Sequence, residues 1–226
     1  MVALVAALAS GCSSSREPPA THAPPADAGR PAATAPSTAG PPADAFAWFE
    51  NSGELPAEGF CFLWVHGLTP DQVLQRLHAR SVVTTSWEGR PEPDADDPLA
   101  VVTGAGDGWS LLIEDFGVLC IGDKELTELS AGARVIANFR NVNYDERFAL
   151  AENGTIRVDF DPYLPAYRTG SAPDSLLPDM AYVGLDRSRD DSTEAALALT
   201  ARLTGVPLTP RMLNAPAYRA GRIPDP

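Results

Sequence analysis

Six polar residues in the C-terminal half, Arg140, Asn141, Asn143, Asp161, Arg168 and Asp174, have the chemistry best suited to recognising a ligand. The arginine fork matches carboxylates and asparagine both donates and accepts, so such a set can line a groove at the end of a sheet. The same residues can instead tie loops together. Asp161 or Asp174 would then pair with Arg168, while Asn141 and Asn143 satisfy turn backbone, and the sequence favours this structural role. His66, which ends an apolar run beside Gly67, is the candidate general base, and with a nearby carboxylate it would make a hydrolase. A strand-end histidine with satisfied ring nitrogens is the plainer reading.

Other chemistry is sparse. The chain has no Gly-x-Ser-x-Gly elbow, no Cys-x-x-Cys, no His-Glu-x-x-His and no phosphate loop with its lysine. Gly104 to Gly108 is glycine-rich, but no helix follows it, so it reads as a hairpin loop. His22 lies in a Pro-rich stretch and His78 on a polar helix face, which argues against a His-rich metal site. Asp94, Asp96 and Asp97, like Asp186, Asp190 and Asp191, lack the spacing of a calcium loop and read as solvated, with Asp191 or Ser192 capping a helix. No cofactor, metal or catalytic residue is assigned on this pattern, and the balance leans away from an enzyme.

The three cysteines divide by context. Leu8-Ala9-Ser10-Gly11-Cys12 closes the short apolar run Val2–Ala9, far below the roughly 20 residues of a membrane-spanning helix. It resembles a bacterial lipoprotein signal, cleaved before Cys12, whose sulfur then carries a diacylglycerol with two or three acyl chains in all. The basic residues expected ahead of such a core are absent, since Val2 follows Met1 directly. Residues 1–11 are then a signal peptide. Residues 12–44 are a lipidated cysteine and a Pro/Ala/Ser-rich tether, about 30 Å long as a coil and roughly 100 Å when extended. Cys61 and Cys120, both in apolar runs, are a candidate disulfide outside the cytoplasm, or else two small hydrophobes.

Residues 45–226 have the composition of one globular domain. The run from about Gly59 to Val65 reads as a buried strand. Thr69, Pro70 and Gln72 spell a capping box that starts a helix running through Arg80, with Val73, Leu74 and Leu77 as its apolar stripe. Leu99–Thr103, Trp109–Glu114 and Val118–Ile121 read as strands of a meander, with Trp64 and Trp109 in the core. Helix 124–129 and strand 134–139 follow, and then strands 147–151 and 155–160 flank Asn153-Gly154, a tight hairpin signal. Helices near 175–183 and 192–203 close the pattern, the last stopped by Gly205. The expected fold is α+β: an antiparallel meander of about five or six strands, with helices near both ends packed on one face.

Several short motifs together resemble an actinobacterial family of domains of unknown function, numbered 6461. They are Leu129-Ser130-Ala131-Gly132, Arg140-Asn141-Val142-Asn143, Phe160-Asp161-Pro162, Arg168-Thr169-Gly170-Ser171 with Pro173-Asp174, and Leu203-Thr204-Gly205-Val206. Gly67-Leu68-Thr69-Pro70 and the stretch Gly108 to Glu114 fit as well. The likeness covers the chain from about Phe60 onward and departs from the family's usual form at the lipoprotein-like N-terminus. It implies a shared fold and brings no activity with it.

A net charge of −13 argues against nucleic acid and against docking on anionic lipid. The expectation is therefore a lipid-anchored module on the extracytoplasmic face of a bacterial cell membrane, with the membrane itself and an envelope protein as partners. A hydrolase built on His66 is the alternative.

Overall fold

The computed structural model describes residues 40–50, 59–92, 94, 98–115, 118–214 and 217–224. Cys12, His22, the signal-like segment, most of the tether, Asp96 and Asp97 lie outside them. The described chain starts a little ahead of the expected boundary, with a 3-10 turn at Ala43–Phe46 whose Ala43 and Phe46 are buried.

The fold is α+β around one antiparallel sheet. Its strands are β1 (Phe60–His66), β2 (Arg80–Thr85), β3 (Leu99–Gly106), β4 (Trp109–Glu114), β5 (Arg134–Arg140), β6 (Glu146–Glu152), β7 (Thr155–Phe160) and β8 (Tyr218–Arg222). They lie in the order β2-β8-β3-β4-β1-β5-β6-β7, eight strands rather than five or six. Nor is the sheet a simple meander, because β1 sits between β4 and β5 and the last strand, β8, inserts between β2 and β3.

Helices cover both faces rather than one. Strand β1 shows why, since six of its seven residues are buried and successive side chains point to opposite faces. Phe60, Phe62 and Trp64 meet a core that includes the 3-10 turn, α4 (Leu177–Val183), α5 (Ser192–Thr204) and α6 (Pro210–Leu213). Cys61, Leu63 and Val65 meet a second core with α1 (Pro70–Arg76), α2 (Val118–Ile121) and α3 (Asp123–Leu129). A continuous apolar run is what burial on both faces requires. Trp64 and Trp109 both lie in the first core.

Local signals set most boundaries. Thr69 and Gln72 form the capping box, Thr69 N–H donating to Gln72 Oε1 at 2.9 Å while Gln72 N–H donates to Thr69 Oγ1 at 3.4 Å. The helix ends at Arg76, not Arg80. His78 takes φ 55°, and the β-branched run Val82 to Thr85 belongs to β2. Asn153 and Gly154 have φ 52° and 77°, as a two-residue hairpin turn demands. The β3–β4 turn narrows to Asp107-Gly108 by the same geometry, with β3 bulging between Gly104 and Gly106. Gly205, at φ 73°, terminates α5.

Val118–Ile121 is a helical turn, not a strand. Four apolar residues carry no period of their own, and tertiary contacts decide the conformation here. Leu119 and Cys120 are buried, Leu119 N–H donates to the buried Glu114 carboxylate at 3.4 Å, and Cys120 is disulfide-bonded to Cys61 of β1 across a Cα separation of 5.6 Å.

Candidate functional site

Register brings unlike charges together at one end of the sheet. Strands β1, β5 and β6 place Phe60 opposite Arg140 and Arg140 opposite Glu146. Over this end stand the N-terminus of α5 and the segment ending at Glu50. Together they enclose a cleft of about 640 Å³ lined by Glu50, Arg140, Tyr144, Glu146, Tyr163 and residues 190–194.

Arg140 forms its floor. Its side chain is 4 % exposed and ion-pairs with Glu50, Nη1 also donating to Thr193 Oγ1 at 3.2 Å. The rings of Phe60 and Tyr144 flank the guanidinium, each 5.3 Å away. A planar, weakly hydrated cation tolerates this setting better than an ammonium would. Thr193 passes its own proton to Glu146 Oε1.

The remaining charge is negative. Five carboxylates, Glu50, Glu146, Asp190, Asp191 and Glu194, line the cleft, of which Glu50 is paired with Arg140 and Asp191 with Arg189. Burial pushes the Glu146 carboxyl above its ordinary range, against hydrogen bonds from Ser192 and Thr193 and the charge of Arg140, while Asp161 adds to the rise. Glu194 is raised in the same way, by burial first and then by Glu50 and Asp191. Asp191 takes the N-cap position of α5 without a side-chain capping bond. Its carboxylate bonds to Arg189 instead, and that hydrogen bond holds its pKa low. Such a cleft can receive a cation. Among the described residues no three His, Cys, Asp or Glu are placed to hold a metal ion.

Of the six residues singled out from sequence, only Arg140 lines the cleft. Asn141 builds the rim turn: Oδ1 accepts from the backbone N–H of Asn143 and of Asp145, both at 2.9 Å, and Nδ2 donates to Asp145 at 2.8 Å. Asn143 takes part there through its backbone. Asp161 Oδ1 accepts from Tyr163 N–H at 2.8 Å and so positions the neighbouring rim. Arg168 pairs with Asp174 at 2.9 Å and bonds Pro165 O, tying a loop away from the cleft.

The structure does not bring His66 to Asp161 or Arg168. His66 is opposite Arg134, which is opposite Glu152, which is opposite Thr155, the far end of β7 from Phe160. Its ring stacks at a tilt on Trp109, 4.9 Å between centroids. His78 borders a separate apolar groove of about 400 Å³ between α1, α2 and α3.

Sequence reading missed Glu50, Tyr144, Glu146, Tyr163 and Glu194 as a group. The signal for Glu146 was the strand register, which pairs the first residue of β6 with the last of β5.

Fold and site together define a two-faced α+β domain with an acidic cleft at one sheet end. The chain belongs to the family of unknown function DUF6461, whose model matches residues 41–226, taking in the 3-10 turn ahead of the expected start near Phe60. No curated protein and no solved structure matches it.

Proposed function

We propose that this chain is an extracytoplasmic binding module, anchored through lipidated Cys12 and held off the membrane by its tether, that receives a cationic group of an envelope partner in the cleft. The observation that carries the reading is the acidic lining of the cleft: with Glu50 engaged by Arg140 and Asp191 by Arg189, the carboxylates of Glu146, Asp190 and Glu194 remain without an ion-pair partner of their own among the described residues. Two of those carboxyls, Glu146 and Glu194, sit above their ordinary pKa, raised first by burial and then by neighbouring carboxylates, and a cation bound beside them would favour their charged forms. The buried Cys61–Cys120 bridge supports the compartment, since disulfides persist outside the cytoplasm and are rare within it. The lipoprotein-like sequence at Cys12 supports the anchor.

The anchor is tested by intact-mass measurement of membrane-extracted protein. The wild type is expected to carry acyl mass on Cys12, and Cys12→Ser to appear in the soluble fraction. An unmodified cysteine with unchanged fractionation would refute it. The cleft is tested with the immobilised full chain against basic and acidic peptides of equal length. Retention of the basic set alone, lost on raising salt, is expected, and equal retention of both would count against the reading.

A further inference from the structure

Beneath the cleft, between β5, β6 and α5, lies a void of about 10 Å³, room for one water-sized group. Its lining includes Asn138, Glu146 and Thr193, and it shares the last two with the cleft above. Asn138 is 3 % exposed. Its Nδ2 donates to Thr200 Oγ1 at 2.8 Å, and the Thr200 hydroxyl gives its single proton to Ala196 O at 3.0 Å. The amide orientation is thereby fixed, because only an N–H can face that hydroxyl, and Oδ1 is left as the free acceptor.

Among the described residues, two buried acceptors, Asn138 Oδ1 and Glu146 Oε2, have no hydrogen-bond partner. Both residues border the same void. Across the β5–β6 pair Asn138 lies opposite Phe148 and Arg140 opposite Glu146, so Asn138 and Glu146 are diagonal neighbours on one face. That spacing, about 7–8 Å between backbones, suits one interposed group. Two acceptors around a one-atom space suit a guest with at least two protons to donate.

We propose that this void is the end of a primary-ammonium site, in which the nitrogen of an alkylammonium donates to Asn138 Oδ1 and Glu146 Oε2 while its alkyl stem runs out through the acidic cleft. The inference rests on the cationic reading of that cleft and names its ligand class. A guanidinium is planar and carries three nitrogens, too large for the space, and a quaternary ammonium has no proton to donate. Glu146 and Thr193 line both the cleft and the void and so mark the passage between them. Tyr144 and Tyr163, which are exposed on the rim, cover the stem.

The test uses the ¹⁵N-labelled full chain carrying Cys12→Ser, titrated at low salt with n-butylammonium, n-butylguanidinium and tetramethylammonium. Butylammonium is expected to shift the Asn138 side-chain amide resonances to saturation and to bind at least tenfold more tightly than the other two. Glu146→Gln is expected to weaken it at least tenfold with an unchanged circular dichroism spectrum. Butylguanidinium binding as tightly, or butylammonium binding with Asn138 unmoved, would overturn the ammonium pocket and leave the acidic cleft standing. Absence of binding by any of the three cations would overturn both. A lysine-bearing peptide and free cadaverine then separate the sources of the head group, and tighter binding of the peptide assigns it to a protein partner.

Discussion

Removing the Cys61–Cys120 bridge should measurably loosen the domain, and the size of the effect follows from where the bridge lies. The two cysteines are 59 residues apart in sequence. Closing a loop of that length removes about 14 cal/mol/K of entropy from the unfolded chain, or about 4 kcal/mol at 25 °C. The loop contains α1, β2, β3 and β4, so it spans half the sheet. Both sulfurs are fully buried, and Cys61→Ala with Cys120→Ala adds a small packing loss to the entropic one. For a domain of this size 1 kcal/mol corresponds to about 2–4 °C, so the double variant should unfold about 8–16 °C below wild type. Thermal and urea unfolding followed by circular dichroism are the assays. Because the bridge acts mainly on the unfolded chain, the urea m-value should rise as that chain expands. A midpoint drop under 3 °C with an unchanged m-value would refute the reasoning, as would two free thiols in protein recovered from its own compartment.

Two further predictions concern the buried carboxyls and the loop tied by Arg168. Asp115, Glu146 and Glu194 all have pKa values raised by burial. The folded state therefore binds these protons more tightly than the unfolded chain, and stability falls as pH rises through the folded values and is fully regained only near the unfolded ones, about 4. The melting midpoint should accordingly rise between pH 7.5 and pH 5, and Glu146→Gln should flatten that rise; a midpoint that falls over this interval contradicts the assignment. Gly170 has φ 108°, and a Cβ there would lie 2.4 Å from Arg157 O. Gly170→Ala should destabilise by about 2 kcal/mol or more in urea unfolding, and a loss under 0.5 kcal/mol would show that the loop gives way.

Where a signal was local, sequence was enough. Thr69-Pro70 with Gln72, Asn153-Gly154 and Gly205 each fix a backbone conformation through their own side chain or its absence, and each stands where the pattern placed it. Strand β8 is different. Tyr218-Arg219-Ala220-Gly221-Arg222 has no clear alternation, and it becomes a strand by filling the slot between β2 and β3, more than a hundred residues away in sequence. Val118–Ile121 likewise takes its form from Cys61 and Glu114. The site was lost by one residue at each strand end. With β5 ending at Phe139 and β6 starting at Arg147, Arg140 and Glu146 read as turn residues. One residue more on each strand makes them cross-strand partners.

The five carboxylates of the cleft do not carry equal weight. Asp190, Asp191 and Glu194 cluster at the start of α5, a helix of 13 residues, where the helix dipole favours negative charge and stability alone accounts for their type. Glu50 neutralises Arg140, which would otherwise stand as a buried charge at the edge of the core. Glu146 alone has no such account. Ser192 and Thr193 hydrogen-bond to its carboxyl, yet Oε2 is buried without a partner among the described residues, and burial drives the carboxyl upward. A glutamine there would relieve the charge and still accept from Thr193. A carboxylate retained where it lowers stability is the expected mark of a binding residue rather than a structural one. Glu146 is therefore the residue whose neutral isostere should raise the stability of the free domain at pH 7.5 while weakening capture of a cation. A substitution that merely damaged the fold would move both quantities downward together.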